Sequence, residues 1–259
     1  MNILMVGDVV ARPGRRVLRE RLAELQHSLE IDFTVVNVEN AAGGFGITAN
    51  VLAEFRALSI DVMTTGNHVW DKKEALTFID DNPDLLRPHN YPAGTPGSGW
   101  VVRQSAGGVR VGVLNMMGQA FMHPVLDSPF AAVDQVLEQR QAETDVLLVD
   151  FHAETTSEKV AMGWHLDGRV AAMVGTHTHI PTADERVLPA GTAYITDLGM
   201  TGCYDSVIGS DTAAVLSRMV HKMQVRLEPA NGPAALCGVT IDVDEKTGLA
   251  RKITRVRAD

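Results

Sequence analysis

The sequence predicts an α/β protein in which a largely parallel β-sheet packs against a second sheet and is covered by helices. Two observations support this fold class: short apolar runs alternate with helical segments in the N-terminal part, and further apolar runs follow a loop rich in glycine and proline. The chain has 259 residues, of which 45% are hydrophobic and 21% charged, so its composition is that of an ordinary globular protein. We expect a single domain, residues 1–259, whose core needs no disulfides.

The N-terminal third has the order βαβαβα, which favours parallel strands covered by helices. Leucines at positions 18, 22, 25 and 29 recur at helical spacing, and Thr48 can cap a second helix. The runs that we interpret as strands are residues 3–6, 33–38 and 60–63, and a helix containing Leu76 and Ile79 is expected after the third run.

A loop at residues 91–99 separates this part from a second group of apolar runs. Thr155 and Glu158 have the spacing of a capping box, which predicts the start of a helix. We find no repeat and no linker, so one domain with two packed sheets is the simplest interpretation. The remaining predicted elements are strands at residues 100–104, 109–116, 146–149, 171–174, 193–196, 225–227, 235–243 and 249–256, and helices at 133–140 and 211–223.

The charge balance restricts the partners. Lys and Arg number 23 and Asp and Glu 32, which gives a net charge of −9. Duplex DNA and anionic membranes both attract basic surfaces, so we expect neither as a partner. The two cysteines, Cys203 and Cys237, lack the spacing of a zinc site or of a disulfide framework. The N-terminal segment lacks the basic region of a signal peptide, and we therefore expect a cytoplasmic protein.

Potential metal ligands follow five of the predicted strands. The carboxyl ends of parallel strands form the ligand-binding crevice of an open α/β sheet, so these residues meet at one rim if the five strands are parallel neighbours. Each group taken alone also fits a helix cap, a turn or a buried core histidine. Their recurrence at five strand ends favours a metal site. The residues are Asp8, Glu39, Asn40, Asn67, His68, His152, His177 and His179.

The residue types indicate the chemistry of such a site. Carboxylates and imidazoles without cysteine suit Mn, Fe or Zn in a catalytic centre. His177 and His179 are two residues apart, so both rings point to one side if the segment is extended. Two cations about 4 Å apart need a bridging ligand, for which Glu39 is the candidate. Such a pair would bind a phosphate oxygen and lower the pKa of a trapped water, and His68 would be free to protonate the leaving oxygen.

Six segments carry a resemblance to a known family. The GNH motif at residues 66–68 and GTHTH at 175–179 resemble motifs of calcineurin-like metallophosphoesterases, and the full set is most similar to the YmdB-type branch. Asp8 lacks the usual Asp-x-His pattern and Glu39 stands where Gly-Asp is usual, and both departures are typical of that branch. The segments are GDVVARPGR from Gly7, NVENAAGGFGIT from Asn37, TGNHVWD from Thr65, DFHAETTSEK from Asp150, GTHTHIPTADERVLP from Gly175 and GTAYITDLGMTG from Gly191.

The resemblance implies a fold, an activity and residue roles. It implies a four-layer α/β/β/α sandwich with two metal ions, Fe or Mn, that hydrolyses small phosphodiesters such as 2′,3′- or 3′,5′-cyclic nucleotides and has weak phosphomonoesterase activity. His68 would be the proton donor. The acidic composition favours small diesters or RNA ends over large nucleic acids, and we expect a homo-oligomer. The first metal would be held by Asp8, Glu39, Asn40 and His179, and the second by Glu39, Asn67, His152 and His177.

Four neighbouring features have two interpretations each. The glycine-rich residues 43–46 form a flexible loop beside the metals, with or without a substrate contact. Lys159 either contacts substrate or has a structural role, and residues 201–210 form a structural turn or shape specificity. Arg12, Arg15 and Arg16 belong to a solvated helix start or contact a second phosphate or a base.

Two other functions are compatible with the ligand set. A metal-dependent amidohydrolase also uses His-x-His and carboxylates, although this chain is short for the barrel of that class. A regulatory protein that binds nucleotide or RNA would retain the metal site without turnover. Turnover of phosphodiesters, compared with amides and with binding alone, distinguishes the three.

Overall fold

The computed structural model describes residues 1–259 and consists of four layers in the order helix, sheet, sheet, helix. The α-helices are α1 (Ala11–Ser28), α2 (Ala49–Arg56), α3 (Pro129–Arg140), α4 (Thr156–Leu166) and α5 (Thr212–His221), and short 3-10 helices lie at Lys73–Thr77 and Gln141–Glu143. The strands are β1 (Asn2–Val6), β2 (Phe33–Asn37), β3 (Val62–Thr64), β4 (Leu85–Leu86), β5 (Trp100–Gln104), β6 (Arg110–Met117), β7 (Val146–His152), β8 (Ala172–Thr176), β9 (Arg186–Val187), β10 (Ala193–Ile195), β11 (Gly202–Cys203), β12 (Ala234–Asp244) and β13 (Leu249–Ala258).

The first sheet joins the two ends of the chain. Its strand order is β11-β12-β1-β2-β3-β4, and β13 pairs with β12. Strands β1 to β4 run parallel to one another, as the βαβαβα order predicts. Strand β12 is antiparallel to β1, with Asn2 opposite Asp242.

The second sheet has the order β5-β6-β7-β8-β10-β9. Its four inner strands, β6, β7, β8 and β10, are parallel, and the edge strands β5 and β9 are antiparallel to their neighbours. The two inner strands β7 and β8 therefore end at the same edge of this sheet.

Three apolar layers hold the sandwich together. A cluster of 22 buried residues lies between the sheets and takes Met5 and Val35 from the first sheet and Leu148 from the second. Leu18 of α1 and Phe55 of α2 pack on the outer face of the first sheet, whereas α3 and α4 cover the second. This architecture confirms the predicted fold class, and it contains no barrel of the amidohydrolase type.

The five ligand-bearing strand ends belong to two sheets, so the condition that all five strands are parallel neighbours is not met. Strands β1, β2 and β3 lie in the first sheet, and β7 and β8 in the second. Asp150 of β7 accepts hydrogen bonds from Asn37 Nδ2 of β2 (3.1 Å) and from the hydroxyl of Thr64 on β3, so it joins the two sheets close to these ends. The clusters nevertheless converge because the two edges face each other.

The two predicted helix caps have different outcomes. The Thr48 hydroxyl caps α2 by accepting a hydrogen bond from the Val51 N–H (3.3 Å). Helix α4 begins directly after Thr155, but the hydroxyl of Thr155 has no hydrogen-bond partner. The Glu158 carboxylate accepts instead from the backbone N–H groups of residues 119 and 120. The predicted capping box is therefore wrong, because a neighbouring loop competes for Glu158.

The other differences concern short elements. The third predicted helix is only the 3-10 helix Lys73–Thr77, in which Leu76 is 51% exposed and so contributes little to a buried face. Residues 225–227 form no strand. Strands β4, β9 and β11 have two residues each, too few for a periodic pattern to predict. No helix in the structure combines the length and the hydrophobicity that a membrane crossing requires.

Candidate metal centre

A cavity of about 330 Å³ opens where the two sheet edges face each other. Asp8 and His152 lie behind its wall and are fully buried. Asn67 reaches the same place, since its Oδ1 lies 3.0 Å from His152 Nε2. The predicted site residues that line the cavity directly are Glu39, Asn40, His68, His177 and His179.

The first sheet supplies oxygen atoms: Asp8 Oδ1 and Asn40 Oδ1 are buried without a hydrogen-bond partner, and Glu39 Oε1 is buried with only His152 Nε2 beside it. The other polar atom of each side chain is held. Asp8 Oδ2 accepts from the His177 N–H (3.2 Å), and Glu39 Oε2 accepts from the His68 N–H (3.2 Å). Asn40 Nδ2 donates to a backbone carbonyl (3.0 Å), which directs its Oδ1 the other way. Buried oxygens without donors are costly, and a cation is the partner that such a set fits.

The second sheet supplies imidazole nitrogens. His152 Nε2 lies 3.1 Å from Glu39 Oε1 and 3.0 Å from His177 Nδ1. The ligand atoms of Glu39, His152 and His177 all lie within 4.8 Å of one another. Asp8 and His179 are outside this tight group, although Asp8 Oδ1 is 3.8 Å from His152 Nδ1. The structure thus assembles the proposed ligands of the second metal more closely than those of the first.

The orientation of His152 is set by a chain of hydrogen bonds at the junction of the sheets. The Thr176 hydroxyl donates to Asp150 Oδ1 (2.7 Å) and lies 2.9 Å from His152 Nδ1. Because the Thr176 proton is used on Asp150, the hydroxyl accepts from a protonated Nδ1 of His152. His152 Nε2 is then the nitrogen that faces the centre, an arrangement typical of metal-binding histidines.

The segment that carries His177 and His179 is not extended, so the argument from strand alternation is wrong. Both residues follow β8 in the left-handed region, with φ of 102° and 67°. Such backbone is unfavourable for residues other than glycine and persists where surrounding contacts enforce it. His179 Nδ1 donates to the Ile208 carbonyl (2.8 Å), and His177 Nε2 lies 3.1 Å from Glu154 Oε2. Both rings line the cavity all the same.

Charge is balanced within the buried group. Burial raises the pKa of Asp8 to about 6, although His179 and His152 oppose this. Burial also disfavours ionised Glu39, but the charge on His152 prevails and lowers the pKa of Glu39 to about 2. Burial likewise disfavours protonated His152, yet Glu39 and Asp8 together raise the pKa of His152 to about 9. Burial and the neighbouring His152 lower the pKa of His177 to about 3. In the absence of a metal ion, the positive charge of protonated His152 therefore offsets the negative charge of the buried carboxylates. A bound cation would provide the same compensation.

His68 lines the cavity but lies apart from the close ligand group. Its Nδ1 is 2.8 Å from Asp71 Oδ2, and the Phe45 ring lies edge-on at a centroid distance of 4.9 Å. These two contacts fix the ring and leave Nε2 free for a bound molecule. Its position agrees with a role in proton transfer rather than in metal binding.

Gly66 shows why a glycine precedes the Asn67-His68 pair. A Cβ at this position would lie 2.3 Å from His152 Nε2 and 2.4 Å from Glu39 Oε2. These distances are far below van der Waals contact, so any side chain would push apart the two sheets' ligands. The glycine is thus required by close packing around the centre.

Lys159 lies behind the candidate site, and only part of the loop of residues 201–210 reaches it. Lys159 is fully buried and its Nζ lies 2.7 Å from Asp197 Oδ2, so it does not reach the cavity. Asp197 Oδ2 also accepts from the hydroxyl and the N–H of Thr178, between the two histidines. In the loop of residues 201–210, only residues 208–210 line the cavity, and Cys203 is buried elsewhere. The ion pair of Lys159 therefore supports the histidine segment from behind.

Sequence reasoning missed several residues of the site. Glu154 approaches His177, Asp71 orients His68, and Asp150 with Thr176 orients His152. Asp71 and Glu154 stand three and two residues after histidines that the motifs contain, which was the available signal. The Asp150 and Thr176 contacts cross between strands and leave no mark in local spacing.

A two-sheet sandwich with carboxylates, amides and imidazoles at its shared edge is the arrangement of a metallophosphoesterase. The model of the YmdB-like protein family matches residues 4–256. The chain belongs to this family, which confirms the resemblance seen in its motifs.

Individual relatives agree over nearly the whole length. A 2′,3′-cyclic-nucleotide 2′-phosphodiesterase of Bacillus subtilis (strain 168) is 46% identical over 256 residues, which cover 99% of this chain and 96% of the relative. The crystal structure of a hypothetical protein from Thermus thermophilus gives a TM-score of 0.93 at 38% identity, covering 100% of this chain and 99% of that one. The crystal structure of a novel phosphatase from Mycoplasma pneumoniae gives a TM-score of 0.94 at 32% identity, covering 100% of this chain and 93% of that one.

Proposed function

We propose that this protein is a dinuclear metal-dependent phosphodiesterase that hydrolyses 2′,3′-cyclic nucleotides. The observation that carries the proposal is the set of buried acceptor oxygens on Asp8, Glu39 and Asn40, opposite the imidazoles of the second sheet. The Bacillus subtilis relative, named a 2′,3′-cyclic-nucleotide 2′-phosphodiesterase, supports the choice of substrate. Activity on 3′,5′-cyclic nucleotides and weak phosphomonoesterase activity are further parts of the proposal.

The ligand set divides between two metal ions, for which we propose Fe or Mn. The ions, when bound, would supply Lewis-acid polarisation of the phosphate and a water of lowered pKa. Glu39 is the proposed shared ligand because it belongs to both sets; its Oε1 lies 3.1 Å from His152 Nε2, and its Oε2 accepts from the His68 N–H. The first ion would be held by Asp8, Glu39, Asn40 and His179, and the second by Glu39, Asn67, His152 and His177.

The chain's own residues supply the remaining chemistry. His68 Nε2, left free by the contact of Nδ1 with Asp71, would give a proton to the leaving oxygen of the diester. Phe45 lines the same cavity and is 42% exposed, which offers a nucleobase an aromatic surface. The cavity of about 330 Å³ lies at the small end of the range for small-molecule sites.

Purified protein loaded with Mn²⁺ or Fe²⁺ tests the proposal on 2′,3′- and 3′,5′-cyclic nucleotides and on linear diesters. We expect metal-dependent turnover that a chelator abolishes and that Glu39→Gln lowers by about 10³-fold, because it removes the charge of the shared ligand. Glu138→Gln, on the exposed surface of α3, is the matched control and should retain full activity.

Failure to turn over any diester with either metal would refute the enzyme assignment. Tight binding of a cyclic nucleotide without turnover would indicate the regulatory alternative. The position of His68 in the cavity, oriented by Asp71, favours the enzyme.

The proposal includes assembly into a homo-oligomer and a cytoplasmic location. Leu216, Met219 and Val220 on α5 are at least half exposed, which supports a self-association surface. The free state of Cys203 and Cys237 is consistent with a reducing compartment. Light scattering of the purified protein and cell fractionation test these two points.

A further inference from the structure

Helix α1 carries four arginines on one face. Arg12, Arg15, Arg16 and Arg19 have the spacing i, i+3, i+4 and i+7, which places them side by side. Together with Glu54 they line a cleft of about 180 Å³. In a chain with a net charge of −9, this is a local concentration of positive charge.

Most of this charge is not neutralised within the protein. Arg15 is the only member of the four that pairs with a carboxylate, since its Nε lies 2.8 Å from Glu54 Oε2. Arg16 donates to the Gly232 carbonyl (2.8 Å), which holds the guanidinium in place without cancelling its charge. Helix α1 also has no acidic residue in its first turn and no side-chain cap. The positive end of the helix dipole therefore adds to the attraction for an anion.

The arginine face is connected to the metal cavity. A hollow of about 320 Å³ is lined by Arg12 and Arg15 on one side and by Gly43 and Pro229 on the other. Pro229 also lines the metal cavity, and Gly44, the neighbour of Gly43, lines it too, so the two spaces adjoin at these residues. A Cβ added at Gly43 would meet no atom within 4 Å, so the backbone is unobstructed at this point of the boundary. The arginine face and the metal cavity thus lie on either side of residues 43, 44 and 229.

We propose that this arginine path binds the backbone phosphates of a single-stranded RNA whose 3′-terminal 2′,3′-cyclic phosphate occupies the metal cavity. The inference rests on the proposed function and extends it to the size of the substrate. A cyclic mononucleotide has one phosphate, which the metals take, and it leaves the arginines without a ligand. An RNA end has a further phosphate for every preceding nucleotide. The face from Arg12 to Arg19 rises about 10 Å along the helix, and guanidinium groups bind phosphate through paired hydrogen bonds.

The test compares 2′,3′-cyclic AMP with adenylate trimers and hexamers that end in a 2′,3′-cyclic phosphate. With the wild-type protein we expect kcat/KM to be about tenfold higher for the hexamer, through a lower KM. The double variant Arg12→Gln/Arg19→Gln should remove this advantage and change the rate on cyclic AMP less than twofold. Both side chains are exposed, so the fold should tolerate the change. Arg140→Gln, at the end of α3, which covers the other sheet, is the matched control and should leave kcat/KM unchanged for both substrates.

Salt gives a second readout. The dependence of KM on salt should be steeper for the hexamer than for cyclic AMP, by a slope of about 0.7 for each phosphate contact, and the double variant should remove the difference. Equal kcat/KM for monomer and hexamer in the wild-type protein would overturn the RNA site and leave the phosphodiesterase intact. An equal loss on both substrates in the double variant would also overturn it. Absence of turnover on every substrate would instead refute the proposed function.

Discussion

The two sheets contribute different halves of the candidate metal centre. The edge of the first sheet supplies oxygens, from Asp8, Glu39, Asn40 and Asn67, and the edge of the second supplies imidazoles, from His152, His177 and His179. Asp8 Oδ1 and Asn40 Oδ1 on the first edge are buried without a donor, whereas the imidazoles on the second are oriented by their neighbours. Neither half is a complete site.

This division makes the metal centre depend on how the sheets pack. Asp150 receives hydrogen bonds from both sheets, and the His177 N–H donates to Asp8 across the same junction. A metal ion held by both halves would strengthen the junction, since binding to the folded state alone stabilises it. Four tests follow from this division. The first disturbs both halves, the second removes a cavity residue, the third changes the second half alone, and the fourth changes the pH.

Gly66→Ala should have the largest effect, because the added methyl group would overlap both His152 and Glu39. We expect a loss of at least about 10³-fold in kcat/KM and substoichiometric metal, measured by kinetics and by elemental analysis. Gly107→Ala is the matched control, since a Cβ there meets only Ser105 Oγ at 3.8 Å. Normal metal content and activity in Gly66→Ala would show that the two halves are not in contact there.

His68→Gln should lower kcat by about 10² to 10³-fold on cyclic nucleotides, because the leaving oxygen then lacks its proton donor. A diester with a p-nitrophenolate leaving group needs no such proton and should lose far less. Metal content should stay that of the wild type, because His68 lies outside the close ligand group. An equal loss on both substrates would argue against proton donation.

Thr176→Val tests the second half alone. It removes the acceptor of His152 Nδ1 and a hydrogen bond to Asp150, while it keeps the side-chain shape. We expect metal affinity to fall by about 10 to 100-fold, as for other groups that orient a metal-binding histidine. Thr176→Ser should restore most of it. If excess metal fails to restore kcat in the valine variant, the hydroxyl has a role other than orienting the ligand.

The smallest effect concerns pH. His152 has a pKa raised to about 9 by Glu39 and Asp8 against the effect of burial, so it carries a proton at pH 7 in the metal-free protein. A metal ion that binds Nε2 must displace this proton. Mn²⁺ affinity should therefore increase about tenfold per pH unit between pH 7 and 8 and level off above about 9. Titration calorimetry in buffers of different ionisation enthalpy would count the proton, and a pH-independent affinity would contradict the prediction.

Much of the candidate site is visible in the sequence because each proposed ligand follows an apolar run that ends abruptly. Burial of a strand and the polar residue after it are local properties, so Asp8, Glu39 and His152 are identified without knowledge of the fold. The partition into two sheets is not local. Strands β3 and β7 have similar apolar patterns, and only long-range pairing decides that they belong to different sheets.

Local conformation was harder to predict where tertiary contacts decide it. The φ of 102° at His177 is enforced by the packing of its loop, with Thr178 hydrogen-bonded to Asp197, and no spacing rule anticipates it. Glu158 has the spacing of a capping box, but its carboxylate instead accepts a hydrogen bond from the Gln119 N–H in another loop. Arg12 and Arg19 have an ordinary helical spacing, and only the structure shows that Arg12 lines a hollow that shares Pro229 with the metal cavity.

Strand β12 has a consequence for the order in which the protein is made. It pairs with β1 along the whole length of β1, from Asn2 opposite Asp242 to Val6 opposite Gly238. This side of β1 can therefore be paired only after the C-terminal part of the chain has been synthesised. While the ribosome is translating the first two hundred residues, the apolar edge of β1 has no neighbour on that side, and unpaired edges of this kind attract other chains. The nascent chain therefore exposes an unpaired strand edge until residues 234–244 emerge, and this interval is the period in which a chaperone would matter most to this fold.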